Sequence, residues 1–143
     1  MSDATDRRTP TPAITVQFDH PDRRYEPGEG VVVRYTIQGL GDERLRAVEH
    51  SILWYTEGKG EEDLGIQFFD RVAGEPAATT ADGAVSFGTR LPASPLSYEG
   101  VIVKIRWCAR IRLFFVAARD FVSEHVFEMG TLPPARPVGG EEP

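Results

Sequence analysis

Asparagine is absent from this 143-residue chain, cysteine occurs once, and lysine is largely replaced by arginine, two against fourteen. Each shortage excludes something. The lone Cys108 makes neither an internal disulfide nor a cysteine-rich zinc site. Without asparagine there is no N-glycosylation sequon. No apolar run approaches the roughly 18 residues that a membrane-spanning helix needs. The first 13 residues are polar and contain proline, unlike a secretory signal. The charge balance, 16 basic against 22 acidic side chains for a net −6, argues against general nucleic-acid binding, which rests on neutralising phosphates. Guanidinium groups suit bidentate anion recognition, but the arginine excess reads more simply as compositional bias.

What is present suffices for a core. Eight Phe, four Tyr and two Trp need an interior. A chain of this length buries roughly two-thirds of its unfolded area, enough for one domain. The expectation is a soluble, cytoplasmic, single-domain protein. Residues 1–12 read as a disordered N-terminal segment. Residues 131–143 carry four Pro, two Gly and two Glu and read as a disordered tail. The folded unit is expected over 13–130.

Within it the apolar residues alternate. Ile14, Val16 and Phe18 alternate with polar neighbours, as do Val31, Val33, Tyr35 and Ile37 with Val32, Arg34 and Thr36. Leu45 to Thr56 places Val48, Ile52 and Trp54 on one parity. Leu64 to Phe69 and Ala84 to Thr89 read as short strands, and Phe121 to Met129 closes the set. The clearest period-2 signal runs through Val101, Val103, Ile105, Trp107, Ala109, Ile111 and Leu113, whose even neighbours include Lys104, Arg106, Arg110 and Arg112. About seven strands separated by turn signals predict an all-β, antiparallel, immunoglobulin-like sandwich. Its expected core includes Val33, Trp54, Val103, Ile105, Trp107 and Ile111. The one helical alternative, Glu43 to His50, is too short.

No motif assembles a reaction. Gly58-Lys59-Gly60 lacks the spacing and the following helix of a phosphate loop, and the carboxylates of Glu61, Glu62 and Asp63 would repel a triphosphate. Those acids also lack the alternation of an EF-hand calcium loop. His20, His50 and His125 are far apart, so no metal site is expected. Cys108 between Arg106 and Arg110 has cationic neighbours that lower a thiol pKa, yet no base stands near it, and an inert, half-covered thiol is expected. No catalytic residue, cofactor or metal ligand is nominated.

Two stretches resemble the arrestin superfamily, in particular its alpha-arrestin branch. Tyr25-Glu26-Pro27-Gly28-Glu29 before a Val-rich strand is similar to the Tyr-x-Pro-Gly-Glu entry to that family's second strand. Leu91-Pro92-Ala93-Ser94-Pro95-Leu96-Ser97-Tyr98-Glu99-Gly100 is similar to its Leu-Pro…Pro-x-Ser-Tyr/Phe-Glu-Gly segment before a long strand. Trp54-Tyr55-Thr56-Glu57 resembles the Trp-Thr-Glu of the alpha-arrestins. The resemblance covers residues 14 to 129 and implies one N-terminal-type arrestin sandwich, in a family that mostly scaffolds, adapts or sorts other proteins. There are departures. Such proteins usually carry two sandwiches in tandem, the first strand here lacks the adjacent lysines that sense receptor phosphates, and no Pro-Pro-x-Tyr motif occurs.

The leading functional expectation is therefore a non-enzymatic protein-interaction module, monomeric or weakly dimeric. Its protein partner, of unknown identity, would be bound through loop tips or a sheet face. The candidate partner-binding residues are Gly58, Lys59, Gly60, Glu61, Glu62 and Asp63 of the polar loop, and Lys104, Arg106, Arg110 and Arg112 of the cationic stripe. Membrane association is expected only through a partner. The alternative is a sandwich binding a small ligand, a carbohydrate or lipid headgroup, on exposed aromatics among Tyr55, Phe69 and Phe115. A hydrolase on the same scaffold has the least support. The stripe itself has two readings: cross-strand pairing with acids such as Glu49, Glu124 or Glu128, or partly unpaired cations that receive an acidic segment of a partner.

Overall fold

The alternating runs become strands in the computed structural model, which describes residues 11–60, 62–79 and 83–130. In chain order these are β1 (Ala13–Phe18), β2 (Arg24–Tyr25), β3 (Gly30–Gln38), β4 (Leu45–Gly58) and β5 (Leu64–Ala73). They are followed by α1 (Glu75–Thr79), β6 (Val85–Arg90), β7 (Tyr98–Glu99), β8 (Val103–Phe115) and β9 (Phe121–Met129). The two expected disordered segments lie outside the described residues but for Thr11 and Pro12, which lead into β1 with Pro12 buried.

The strands form two layers. A three-stranded sheet has the order β1-β3-β6, and a six-stranded sheet has the order β2-β9-β8-β4-β5, with β7 pairing β8. Neighbours pair antiparallel except β2, which runs parallel to the end of β9. The all-β sandwich expected from the alternation is thus the fold. Two of the strands, β2 and β7, are two-residue pairings that periodicity is too short to register. The same holds for α1, where Gly74 at φ +73° turns the chain and Ala77 drops into the core.

One apolar cluster fills the space between the layers. It includes Val31, Val33, Tyr35 and Ile37 of β3 and Trp107, Ala109, Ile111 and Leu113 of β8, all on the expected parities. Each such large side chain contributes about 1.5–3 kcal/mol when fully buried. Of the expected core residues, Val33, Trp107 and Ile111 are buried, but Trp54, Val103 and Ile105 are only half-buried. The reason is position. Val103 and Ile105 begin β8 beside the end of β4, where the long β9 does not yet reach and only the short β7 lies on the other side, and Trp54 lies over Gly65 of β5, the strand at the sheet's end. A Cβ on Gly65 would come within 2.2 Å of the Trp54 ring nitrogen, so this strand glycine is required by close approach. Val101, expected to start the long strand, stands in the turn before it and is 93% exposed.

The stretches that resemble arrestins meet at one end of the sandwich. Glu29 donates its N–H to Glu26 O at 3.0 Å across Pro27 and Gly28, a turn that glycine closes at φ +83°. From that turn Gly28 N–H reaches Pro92 O at 3.3 Å, and Leu91 N–H donates to Glu29 O at 2.8 Å. Trp107 Nε1 donates to Pro95 O at 2.7 Å, and Ser97 exchanges hydrogen bonds with Met129. The two motifs, about 65 residues apart, are therefore one structural clasp.

Candidate functional site

The polar loop Gly58 to Asp63 joins β4 to β5, and its midpoint Glu61 lies outside the described residues. It is not an isolated tip. Lys59 donates its N–H to Ile102 O at 3.2 Å, and a Cβ on Gly58, at φ +133°, would stand 2.1 Å from the same oxygen. The chain there has room only for glycine. The β4–β5 loop and the turn before β8 are consequently packed backbone against backbone. On this tip Val101 and Ile102 project with 93% and 67% of their surface exposed. Sequence reasoning missed Val101 as a surface feature because it continued the odd-position alternation of β8, and passed over Ile102, an apolar residue on the even parity. Gly100 just before them was the available turn signal.

The cationic stripe occupies the outer face of the six-stranded sheet, as its parity demands. Lys104 Nζ sits 3.0 Å from Glu99, and Arg106 contacts Glu57 at 2.7 Å and Glu99 at 3.5 Å. Arg110 pairs with Glu124 at 2.7 Å and Arg112 with Asp120 at 2.6 Å. Each of the four cations therefore faces a carboxylate. Of the acids expected as partners, Glu124 serves, whereas Glu49 pairs with Arg71 on β5 and Glu128 with Arg24 on β2. Strand order decides this. Glu49 lies opposite both Arg112 and Arg71 in the ladders, and Asp120 claims the former. The Phe114 ring next along the stripe has the guanidinium groups of Arg46, Arg71 and Arg112 at 4.9–5.4 Å from its centroid.

Cys108 in the middle of the stripe is fully buried, not half-covered. Its cross-strand neighbours are Leu53 on β4 and Val126 on β9, and Leu53 in turn faces Ile66 on β5. This apolar row runs between the paired Arg106 and Arg110, whose long stems shade the small thiol. Burial pushes the thiol pKa up to about 12, and the repulsion of Glu124 adds to it, against a smaller pull from Arg110. A thiol so held is not a nucleophile.

The histidines occupy three separate environments. His50 on β4 is 4% exposed and stacks on Phe87 with centroids 4.4 Å apart. Its Nε2 lies 3.5 Å from the Asp70 carboxylate and its Nδ1 lies 3.0 Å from the Tyr35 hydroxyl. The carboxylate calls for the proton on Nε2, which leaves Nδ1 to accept from Tyr35. The bond joins the two sheets. Desolvation holds the His50 pKa down, outweighing the attraction of Asp70. His20 is pinned by Arg24 O at 2.7 Å and Glu29 at 3.1 Å, and these contacts raise its pKa. His125 contacts Ser123 at 2.6 Å. Among the described residues no cluster of three His, Cys, Asp or Glu side chains has metal-site geometry.

Of the aromatics expected to receive a small ligand, Phe115 is core, while Phe69 is 52% exposed and Tyr55 half-buried. The three do not share a face. No helix among the described residues is long and apolar enough to cross a membrane.

No protein-family model matches the chain, and no curated protein matches it. Solved structures do. Neelaredoxin, a superoxide reductase from Ignicoccus hospitalis, is 15% identical with a TM-score of 0.48, over 85% of this chain and 82% of that one. That likeness is too loose to argue from. Spo0M, the sporulation control protein of Bacillus subtilis, is 15% identical with a TM-score of 0.57, over 82% of this chain and 49% of that chain. The chain thus spans about half the length of Spo0M, and what the two share is the fold, an arrestin-like β-sandwich.

Proposed function

We propose that this chain is a non-enzymatic protein-interaction module of the arrestin-like kind, an adaptor or scaffold working in the cytoplasm. The carrying observation is the exposed pair Val101 and Ile102, held on a tip that two hydrogen-bonded loops make rigid. Apolar side chains fixed in water without a structural task are what an interface anchor requires. The loop residues Gly58 and Lys59 border that pair. The cationic stripe is the weaker half of the candidate surface, because an acidic partner would have to displace four intramolecular carboxylates. Spo0M, a sporulation control protein, supports a regulatory rather than metabolic setting for this fold.

The test is site-specific photo-crosslinking in extracts of the native host. A photoreactive residue at Val101 should give discrete adducts that disappear on Ile102→Ser, while one at the exposed Thr15 on the opposite sheet should give none. Equal crosslinking from both positions, or none from Val101, overturns the reading.

A further inference from the structure

The edge of the larger sheet is a second open surface, and its interpretation rests on the module reading above. β5 is the last strand in its sheet, so among the described residues one side of its backbone has no ladder partner. Exposed edges are commonly protected by lysine, proline, very short length or a bulge, and of these β5 has only a single bulge. β5 has ten residues and neither lysine nor proline. Its one irregularity is Gln67, which has no partner in the β4 register and sends its amide to Arg90 O at 3.1 Å. On the outer face Leu64, Ile66 and Phe69 stand opposite Tyr55, Leu53 and Ser51, and they are 48%, 58% and 52% exposed. An open ladder beside alternating exposed apolar side chains is the arrangement used for strand addition.

Charge selects the occupant. Glu62 and Asp63 are exposed at the start of β5, Asp70 lies along it, and Glu75 is exposed just beyond its end. The strand's one cation, Arg71, is taken by Glu49, and the nearby Lys59 sits across Gly60 on the tip. A second copy of the chain fits poorly. Full-length antiparallel self-pairing of β5 sets Glu62 against Glu75 and gives Asp63 only Gly74 to face, and in-register parallel self-pairing sets each acid beside its own copy.

We propose that the β5 edge receives an extended peptide of a partner as a further antiparallel strand. That peptide carries apolar side chains at alternate positions and lysine or arginine at its C-terminal end. Antiparallel addition lays this end beside Glu62 and Asp63, where the carboxylates meet the cations.

Three short fluorescent peptides of alternating Val and Thr test this on the full chain by anisotropy. One carries two lysines at its C-terminal end, one carries them at its N-terminal end, and one has two glutamates at its C-terminal end. The first should bind about tenfold more tightly than the glutamate peptide and by a smaller margin more tightly than the peptide with N-terminal lysines, whose cations meet Asp70 and Glu75 with Arg71 between them, and it should slow amide exchange in Leu64–Ala73. Ile66→Thr with Phe69→Thr should abolish its binding. Should that pair unfold the chain, the exposed loop change Glu62→Lys with Asp63→Lys serves instead and should turn the preference toward the glutamate peptide. Equal binding of all three peptides, binding that ignores both sets of substitutions, or a dimer in sedimentation that dissociates on Ile66→Thr overturns the proposal. Loss of peptide binding with persisting Val101 crosslinks refutes the edge alone, whereas loss of both refutes the module reading as well.

Discussion

Removing the Tyr35 hydroxyl tests the polar bridge between the sheets. Tyr35 is 1% exposed and His50 4%, so Tyr35→Phe strands the His50 Nδ1 acceptor where water does not reach it. A buried group that loses its partner costs about 1–3 kcal/mol. For a domain of this size that lowers Tm by very roughly 4 °C per kcal/mol. Adding His50→Leu removes the stranded acceptor and sets an apolar side chain against Phe87, while Asp70 is 55% exposed and returns to water. The double variant should therefore recover most of the loss, since replacing both partners of a buried bond is nearly neutral. The sign of the pH effect follows from the same site. A histidine whose folded pKa lies below its ordinary 6.5 contributes stability above that value, which is lost as pH falls through the folded pKa. His125, also held down by burial, adds to this slope, and the half-buried His20, raised by Arg24 O, opposes it. Urea denaturation of the wild type, single and double variants at pH 7.5 and 5.5 measures all of this. The double variant should lose less stability on acidification than the wild type. A Tyr35→Phe cost under about 0.5 kcal/mol, the range of surface changes, or a double variant weaker than the single, would refute the bridge.

Three further outcomes follow from the geometry. Trp107→Ala removes a fully buried indole and orphans Pro95 O, and should cost about 3–5 kcal/mol in denaturant unfolding. Cys108 should stay unreactive toward a disulfide reagent in the native state and react stoichiometrically in denaturant, which rapid native labelling would contradict. Arg110→Glu with Arg112→Glu sets carboxylates against Glu124 and Asp120, and should destabilise by about 1 kcal/mol per site, less in high salt. An unchanged Tm at low salt would show that these pairs are merely solvated.

The period-2 pattern was enough to read the class of fold and the parity of β3 and β8. These depend on a residue's own neighbours in the chain, since alternation alone assigns side chains to opposite faces. Burial on the outer face was not readable that way. Leu53 and Cys108 lie on the polar parity yet are buried, because adjacent strands bring Ile66 and Val126 into line with them, and Ser51 is buried between Phe69 and Arg110. Ion-pair partners were equally a matter of strand order: Glu124 beside Arg110 is a ladder contact, and the capture of Glu49 by Arg71 depends on β5 lying outside β4. The same placement makes Leu64, Ile66 and Phe69 an exposed edge rather than a core strand. Val101 and Ile102 become a tip only because the loop after Gly58 folds against them. The amino-acid pattern thus determined which face each strand residue takes, and the tertiary structure alone decided which faces and edges are covered, because covering depends on neighbours distant in the chain.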